Sequence, residues 1–280
     1  MMRFFLFLSV FLYISNAFSQ NIILMIGDGM GKNHINCVQN NTPLFLKTLN
    51  PKGEIKTYSA NNKITDSAAG ATAYSCGIKT NNGYLGLTPN KEKCETLAET
   101  SYAKGYNVFI RTTDKITGAT PSAFYAHQES RHHTNNILKD LEKAKEAMDI
   151  KAVQNIETET KKLLTALETS EKPFFVMIEE SEIDKQSHLN QYQKMSQALI
   201  SFDKAIESAI QFAKNRKDTT IIIVADHETG GLTPDCKYTK NNHTSENVFY
   251  YVEGNQGNTS YPKEIENTYI HHLIKKILIH

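Results

Sequence analysis

Seven acidic and histidine side chains fall where a fold could gather them around a cation. Asp28 follows the apolar run NIILMIG, Glu179 ends PFFVMIE with Glu180 beside it, and Asp226 and His227 come directly after TTIIIVA. Asp184 and His188 stand four apart in EIDKQSH, on one face of a helical turn, and His243 lies in the loop NNHTSEN. Carboxylate oxygens and imidazole nitrogens suit zinc, and this set is large enough for more than one ion. So many like charges converging without a cation would be strongly unfavourable, and the cluster therefore implies metal. A second feature is Ser67 in ITDSAAGATAYSCGIKT, preceded by Asp66 and followed by Ala and Gly. Small neighbours let a ligand come close, and a helix starting here would turn unpaired N–H groups toward an anion, so Ser67 reads as a candidate nucleophile. An N-cap role for Asp66 or Ser67 explains the same letters.

The elements that must carry these residues are legible from hydrophobic pattern. Apolar, β-branched runs at 21–26, 107–111, 173–178 and 219–225 read as strands buried on both faces. They alternate with helical patterns at 92–104, 135–170, 191–215 and 265–279, the third carrying Met195, Leu199, Phe202, Ile206 and Ile210 as a core stripe. The fold class is α/β, a mainly parallel central sheet flanked by helices on both faces. Residues 235–265, rich in Asn, Gly and Tyr, read as a loop or hairpin excursion. In such sheets ligands bind beyond the carboxyl ends of the strands, and three strands here deliver carboxylates to that edge. The segment TTDKITGATPSAFYAHQESR, after the second apolar run, brings Thr120 and Arg131 to the same side.

Of the 280 residues, 40% are hydrophobic and 22% charged, with a formal net charge of +1, which is the balance of a soluble globular protein. Lysines are scattered and no nucleic-acid signature is present, so any phosphate bound belongs to a small molecule. Residues 1–19 place one Arg before a short apolar run and end in Ala17-Phe18-Ser19, the pattern of a signal peptide cleaved after Ser19. Export to a periplasm or the medium is expected, with no membrane attachment after cleavage and residues 20–280 forming one catalytic domain. Cys37, Cys76, Cys94 and Cys236 allow three pairings, among which the sequence does not choose.

The chain resembles the alkaline phosphatase family in six segments that occur in the family's order: IGDGMG (26–31), TDSAAGATAYSCGIKT (65–80), ATPSAFYAHQESR (119–131), EIDKQSH (182–188), ADHETGG (225–231) and HT (243–244). The resemblance implies metal-dependent hydrolysis of phosphate monoesters through a phosphoseryl intermediate on Ser67, with Arg131 as the phosphate clamp. It implies two Zn2+, one held by Asp184, His188 and His243 and the other by Asp28, Asp226 and His227. One Mg2+ would lie between Asp28, Thr120 and Glu179, the last chosen over Glu180 for its spacing to Asp184. A monomer or a homodimer is equally compatible with a chain this short.

Other readings remain beside it. A phosphodiesterase of the same superfamily is compatible with the metal ligands, although Arg131 favours the more highly charged monoester. A sulfatase would need Pro and Arg after the nucleophile, which SAAGA lacks. A non-catalytic exported zinc- or phosphate-binding protein would keep the ligands and leave Ser67 unexplained. The sequence also departs from the family at Gly118, two before Thr120, where relatives commonly carry Asp or His. On the resemblance, Lys185 is the site lysine that such a carboxylate would pair with. The expectation is therefore a Lys185 without a carboxylate partner, free to reach phosphate through water.

Overall fold

The computed structural model describes residues 20–279; the expected signal peptide at 1–19 lies outside the described residues. Ten strands run in chain order as β1 (Asn21–Gly27), β2 (Gly53–Lys56), β3 (Asn107–Thr112), β4 (Met148–Ala152), β5 (Phe174–Glu180), β6 (Thr219–Val224), β7 (Glu228–Thr229), β8 (His243–Thr244), β9 (Val248–Gly254) and β10 (Glu264–Glu266). Eight of them form one sheet in the order β10-β2-β9-β6-β1-β5-β3-β4, and β7 and β8 form a separate ribbon.

The four apolar runs are adjacent in that sheet. Every residue of β1, β5 and β6 is buried, as expected for strands covered on both faces. β6, β1, β5, β3 and β4 are parallel, and only β9 runs against its neighbours. The parallel register sets Ile26 beside both Val224 and Glu179, and Glu179 beside Thr112. Counting two residues past the Ile26–Val224 pair brings Asp28 level with Asp226. The strand ends therefore deliver their acids to one edge because the apolar runs are in register.

Two sequence expectations are corrected. The helix expected over 135–170 is two helices, Thr134–Ala144 and Ile156–Leu167, with β4 between them. In β4, Met148 and Ile150 are buried while Lys151 faces out, the period of a strand in a segment too short to stand out. The fully buried Arg111 of β3 holds it there through Asp149 (2.7 Å) and through Glu159 of the next helix (2.9 Å). The second correction concerns 235–265, which is no mere excursion: VFYYVEG forms β9, an internal strand between β2 and β6. The other three expected helical stretches hold the helices Leu97–Ala103, Tyr192–Asn215 and Thr268–Ile279. Among the described residues no helix is long and apolar enough to cross a membrane.

The cysteines pair as Cys37–Cys236 and Cys76–Cys94. The first ties the helix Lys32–Gln39 to the loop leading to His243, across 199 residues. The second anchors the last residue of the Ser67–Cys76 helix to a loop 18 residues on, a closure worth about 3 kcal/mol by chain entropy. Each bridge thus restrains a segment that carries a candidate site residue.

Candidate metal centre

Ser67 is the first residue of the helix Ser67–Cys76, and the N-cap role falls to the residue before it. Asp66 is the N-cap, its Oδ1 accepting from the Ala69 N–H at 2.9 Å. This leaves the buried Ser67 hydroxyl free to point elsewhere, and its Oγ lies 3.3 Å from Nε2 of His227. The Ala and Gly residues let this helix press against the end of β6. A side chain at Gly70 would begin 3.1 Å from the Asp226 Cβ. The other Asp66 oxygen accepts from the Gly83 N–H at 3.0 Å and from Arg131 Nη1 at 3.3 Å, so the N-cap also orients the arginine.

The seven candidate ligands come together at the strand ends. Asp184, His188 and His243 form one group and Asp28, Asp226 and His227 another, the ligand atoms of each group lying within 4.8 Å of one another. Gly29 makes this possible. With φ of +72° it turns the chain sharply after Asp28, and a Cβ there would lie 2.9 Å from the Asp184 backbone. Its N–H also donates to Asp226 Oδ1 at 3.1 Å. His243 reaches the site on the β7–β8 ribbon, stacked on His227 with ring centroids 3.6 Å apart. Buried Glu228 pins that ribbon by accepting from the Leu232 N–H and the Thr244 hydroxyl.

Hydrogen bonds around the three imidazoles determine where their protons lie. His188 Nδ1 is 2.6 Å from the Asn241 carbonyl and His243 Nδ1 is 2.9 Å from the Thr65 carbonyl; a carbonyl only accepts, so both Nδ1 atoms carry the hydrogen. Thr229 gives its hydroxyl proton to Asp184 and therefore accepts from His227 Nδ1. All three Nε2 atoms are thus bare in the neutral rings, and those of His188 and His243 face each other at 3.1 Å. His227 Nε2 also lies 3.3 Å from Asp226 Oδ2 and 3.4 Å from Asp28 Oδ1, and both of those buried oxygens lack a hydrogen bond. Lone pairs and orphaned carboxylate oxygens converging in this way are what a divalent cation would satisfy. The residues present fit zinc in both groups.

The electrostatics agree. Burial, and then repulsion from Asp226, Asp184 and Glu179, raise the Asp28 carboxyl well above its usual range. Asp226 is pushed up to about 7, chiefly by burial, and Glu179 to about 8. Burial lowers the basicity of His227 well below that of a free imidazole, which keeps the ring neutral.

Of the two adjacent glutamates, Glu179 faces the centre. It is buried, accepts from the Thr112 hydroxyl and lies close enough to Thr120 for that hydroxyl to favour its ionised form. Yet Thr120 Oγ1, 1% exposed, makes no hydrogen bond of good geometry. Glu180 instead accepts from the Thr113 hydroxyl (2.7 Å) and the Glu182 N–H (2.9 Å), away from the candidate ligands. Asp28, Thr120 and Glu179 form an all-oxygen set of the kind magnesium takes.

The expectation for Lys185 is overturned. Its ammonium lies 2.8 Å from Asp114 and 3.1 Å from Glu182, so it is paired with two carboxylates. Asp114 and Thr229 are polar residues around the centre that sequence reasoning missed, as is the hold of Asp66, read there only as a cap, on Arg131. Each acts through a neighbour reached across a loop, so no spacing signals it.

The alkaline phosphatase family model matches residues 19–163 and 152–241 of the chain. Alkaline phosphatase 4 of Bacillus subtilis is 28% identical over 297 residues, covering 80% of this chain and 64% of that protein. The alkaline phosphatase of Escherichia coli is 37% identical over 130 residues, 42% of this chain and 28% of that protein. The chain spans 56% and 64% of the length of two such full-length relatives, from Schizosaccharomyces pombe and B. subtilis. Among solved structures, a histidine-to-aspartate variant of the TAB5 alkaline phosphatase, with magnesium bound in its M3 site, superposes with a TM-score of 0.83. It is 24% identical, over 92% of this chain and 97% of that one. The Thermus thermophilus enzyme superposes with a TM-score of 0.80 at 17% identity, over 92% of this chain and 91% of that one.

Proposed function

The chain belongs to the alkaline phosphatase family, and we propose that it hydrolyses phosphate monoesters at the centre described above, with Ser67 as nucleophile. The observation that carries this reading is the position of Ser67: a buried hydroxyl at a helix N-terminus, against His227 and next to the Asp66 that holds Arg131. Asp184, His188 and His243 would hold one zinc ion, Asp28, Asp226 and His227 a second, and Asp28, Thr120 and Glu179 a magnesium ion. Magnesium in the M3 site of the TAB5 variant supports the third assignment. The bound ions would supply Lewis acidity toward the phosphoryl oxygens and lower the pKa of the attacking hydroxyl and water.

The chain's own residues account for the rest. Ser67 Oγ gives up its proton and bonds to phosphorus as the ester oxygen leaves and takes up a proton from solvent to become the alcohol. Water, losing a proton, then displaces the serine oxygen, which is reprotonated as inorganic phosphate is released. No imidazole in the centre is left over as a general base, since each Nδ1 is engaged and each Nε2 faces the ligand cluster. Arg131, held at its far side by Asp66, presents its guanidinium to two non-bridging oxygens of the phosphoryl group. The N–H groups at the start of the Ser67 helix add partial positive charge on the same side.

Turnover of a chromogenic phosphate monoester, set against the matching diester and sulfate ester, tests this reading. The monoester should be hydrolysed fastest by a wide margin; preferential turnover of the diester would transfer the assignment to a phosphodiesterase. Replacing the guanidinium should remove a charge-assisted contact of about 1.5–3 kcal/mol, so Arg131→Ala is expected to lower kcat/KM by about 10–100-fold and to weaken phosphate inhibition in parallel. Equal kcat/KM would show that Arg131 does not touch the phosphoryl group.

We also place the mature protein outside the reducing cytoplasm, after removal of residues 1–19. The pairing of all four cysteines in two disulfides supports this reading. Mass analysis of the mature chain would read the cleavage point directly.

A further inference from the structure

We propose that Asp114 supplies the third cation site with the carboxylate that Gly118 lacks, and holds Lys185 at its rim. The inference rests on the three-cation reading above and concerns a residue which that reading does not use.

Gly118 has φ of −61° and ψ of 164°, an extended conformation open to any residue. It also occupies the N-cap of the short helix Ala119–Ser122, where Asp, Asn or Ser would normally be favoured. The backbone therefore does not require glycine here; the space does. A Cβ at 118 would lie 2.0 Å from Asp114 Oδ2 and 2.7 Å from its Cγ. The Asp114 carboxylate thus fills the volume where a side chain at 118 would begin, arriving from four residues earlier.

Its connections run toward the site. Oδ1 of Asp114 is 2.8 Å from Lys185 Nζ. Its backbone N–H donates to Thr112 Oγ1 at 2.8 Å, and that hydroxyl in turn donates to Glu179. An independent sign of a ligand is Thr120 Oγ1, buried beside Glu179 without a hydrogen bond. With its side chain 24% exposed, Asp114 borders both solvent and site, the position from which a carboxylate can orient the water that magnesium retains. It is therefore a positioning residue, acting on the cation and on Lys185.

Direct magnesium binding to zinc-loaded protein, measured calorimetrically without substrate, tests the proposal. Asp114→Ala should weaken magnesium binding by about 10–100-fold while zinc content is unchanged, and Asp114→Asn, which keeps the shape, should weaken it too. Gly118→Ala should act in the same direction, because its methyl group evicts the Asp114 carboxylate. The decisive variant combines Asp114→Ala with Gly118→Asp: a carboxylate returned from the other position should restore most of the lost affinity, which a merely structural role for Asp114 would not permit. Unchanged magnesium affinity in Asp114→Ala, or no recovery in the double variant, overturns the proposal. If the unsubstituted protein takes up zinc but no magnesium, the proposal falls together with the third site. Absence of phosphatase activity in a protein that passes these binding tests would count against the proposed function alone.

Discussion

Ser67→Ala is expected to cut phosphate monoester turnover by at least about a thousand-fold while the protein still binds zinc. The size follows from the absence of a substitute: among the described residues Ser67 is the one hydroxyl of the candidate centre within hydrogen-bond distance of a bare imidazole Nε2, and the cysteines are in disulfides. The metal ligands do not depend on Ser67, whose one recorded polar partner among them is His227. Metal content should therefore survive the substitution. Chemical quench with a labelled monoester should trap phosphate on the unsubstituted protein and none on the variant. A loss of only two- or three-fold would mean that water attacks phosphorus directly and that Ser67 merely begins its helix.

Chelation is expected to abolish turnover and to leave a protein whose stability falls as pH rises from 6.5 to 8. In the metal-free chain Asp226 and Glu179 titrate near 7 and 8, and Asp28 well above its usual value, because burial and mutual repulsion disfavour their charged forms. The unfolded chain has already released those protons by pH 6.5, so the folded state binds more protons throughout this window and loses stability as they leave. His227 and His243, with lowered basicity, act in the opposite sense, but that contribution is largely complete once unfolded histidine is neutral, above about pH 6.5. His188, with raised basicity, adds to the decline. Zinc should reverse the trend, since it binds more tightly as its ligands lose their protons, and a cation at 100 times its Kd stabilises by about 2.7 kcal/mol for each site. Thermal melts of chelated and zinc-reloaded protein across the window provide the check. A metal-free protein as stable at pH 8 as at pH 6.5 would contradict a centre built from converging buried acids.

Local pattern was enough to find the four adjacent strands β6, β1, β5 and β3 and the residues at their ends. A run such as NIILMI is buried on both faces wherever it lies, and the acid after it must emerge at the strand's carboxyl end. The pool of candidate ligands was legible for the same reason, since once the strands are parallel Asp28, Glu179 and Asp226 have only one edge to share; its division into sets came from the family resemblance. β4 and β9 were not legible. Met148 and Ile150 are too few for a strand period to show between two helical stretches, and VFYYVEG is masked by the Asn- and Gly-rich turns around it.

What tertiary structure alone decided is a matter of approach across distance. The Cys37–Cys236 bridge spans 199 residues, and no local preference distinguishes it from the two other pairings. Glu179 is preferred to Glu180 in the sequence on its spacing to Asp184 alone; alternation along β5 is the physical reason that one turns toward Asp28 and the other toward Thr113. Gly118 suggests by itself that a carboxylate is absent and Lys185 free. The loop after β3 folds Asp114 into that space and against that lysine, because side chains compete for volume in three dimensions and a position in the chain does not reserve it.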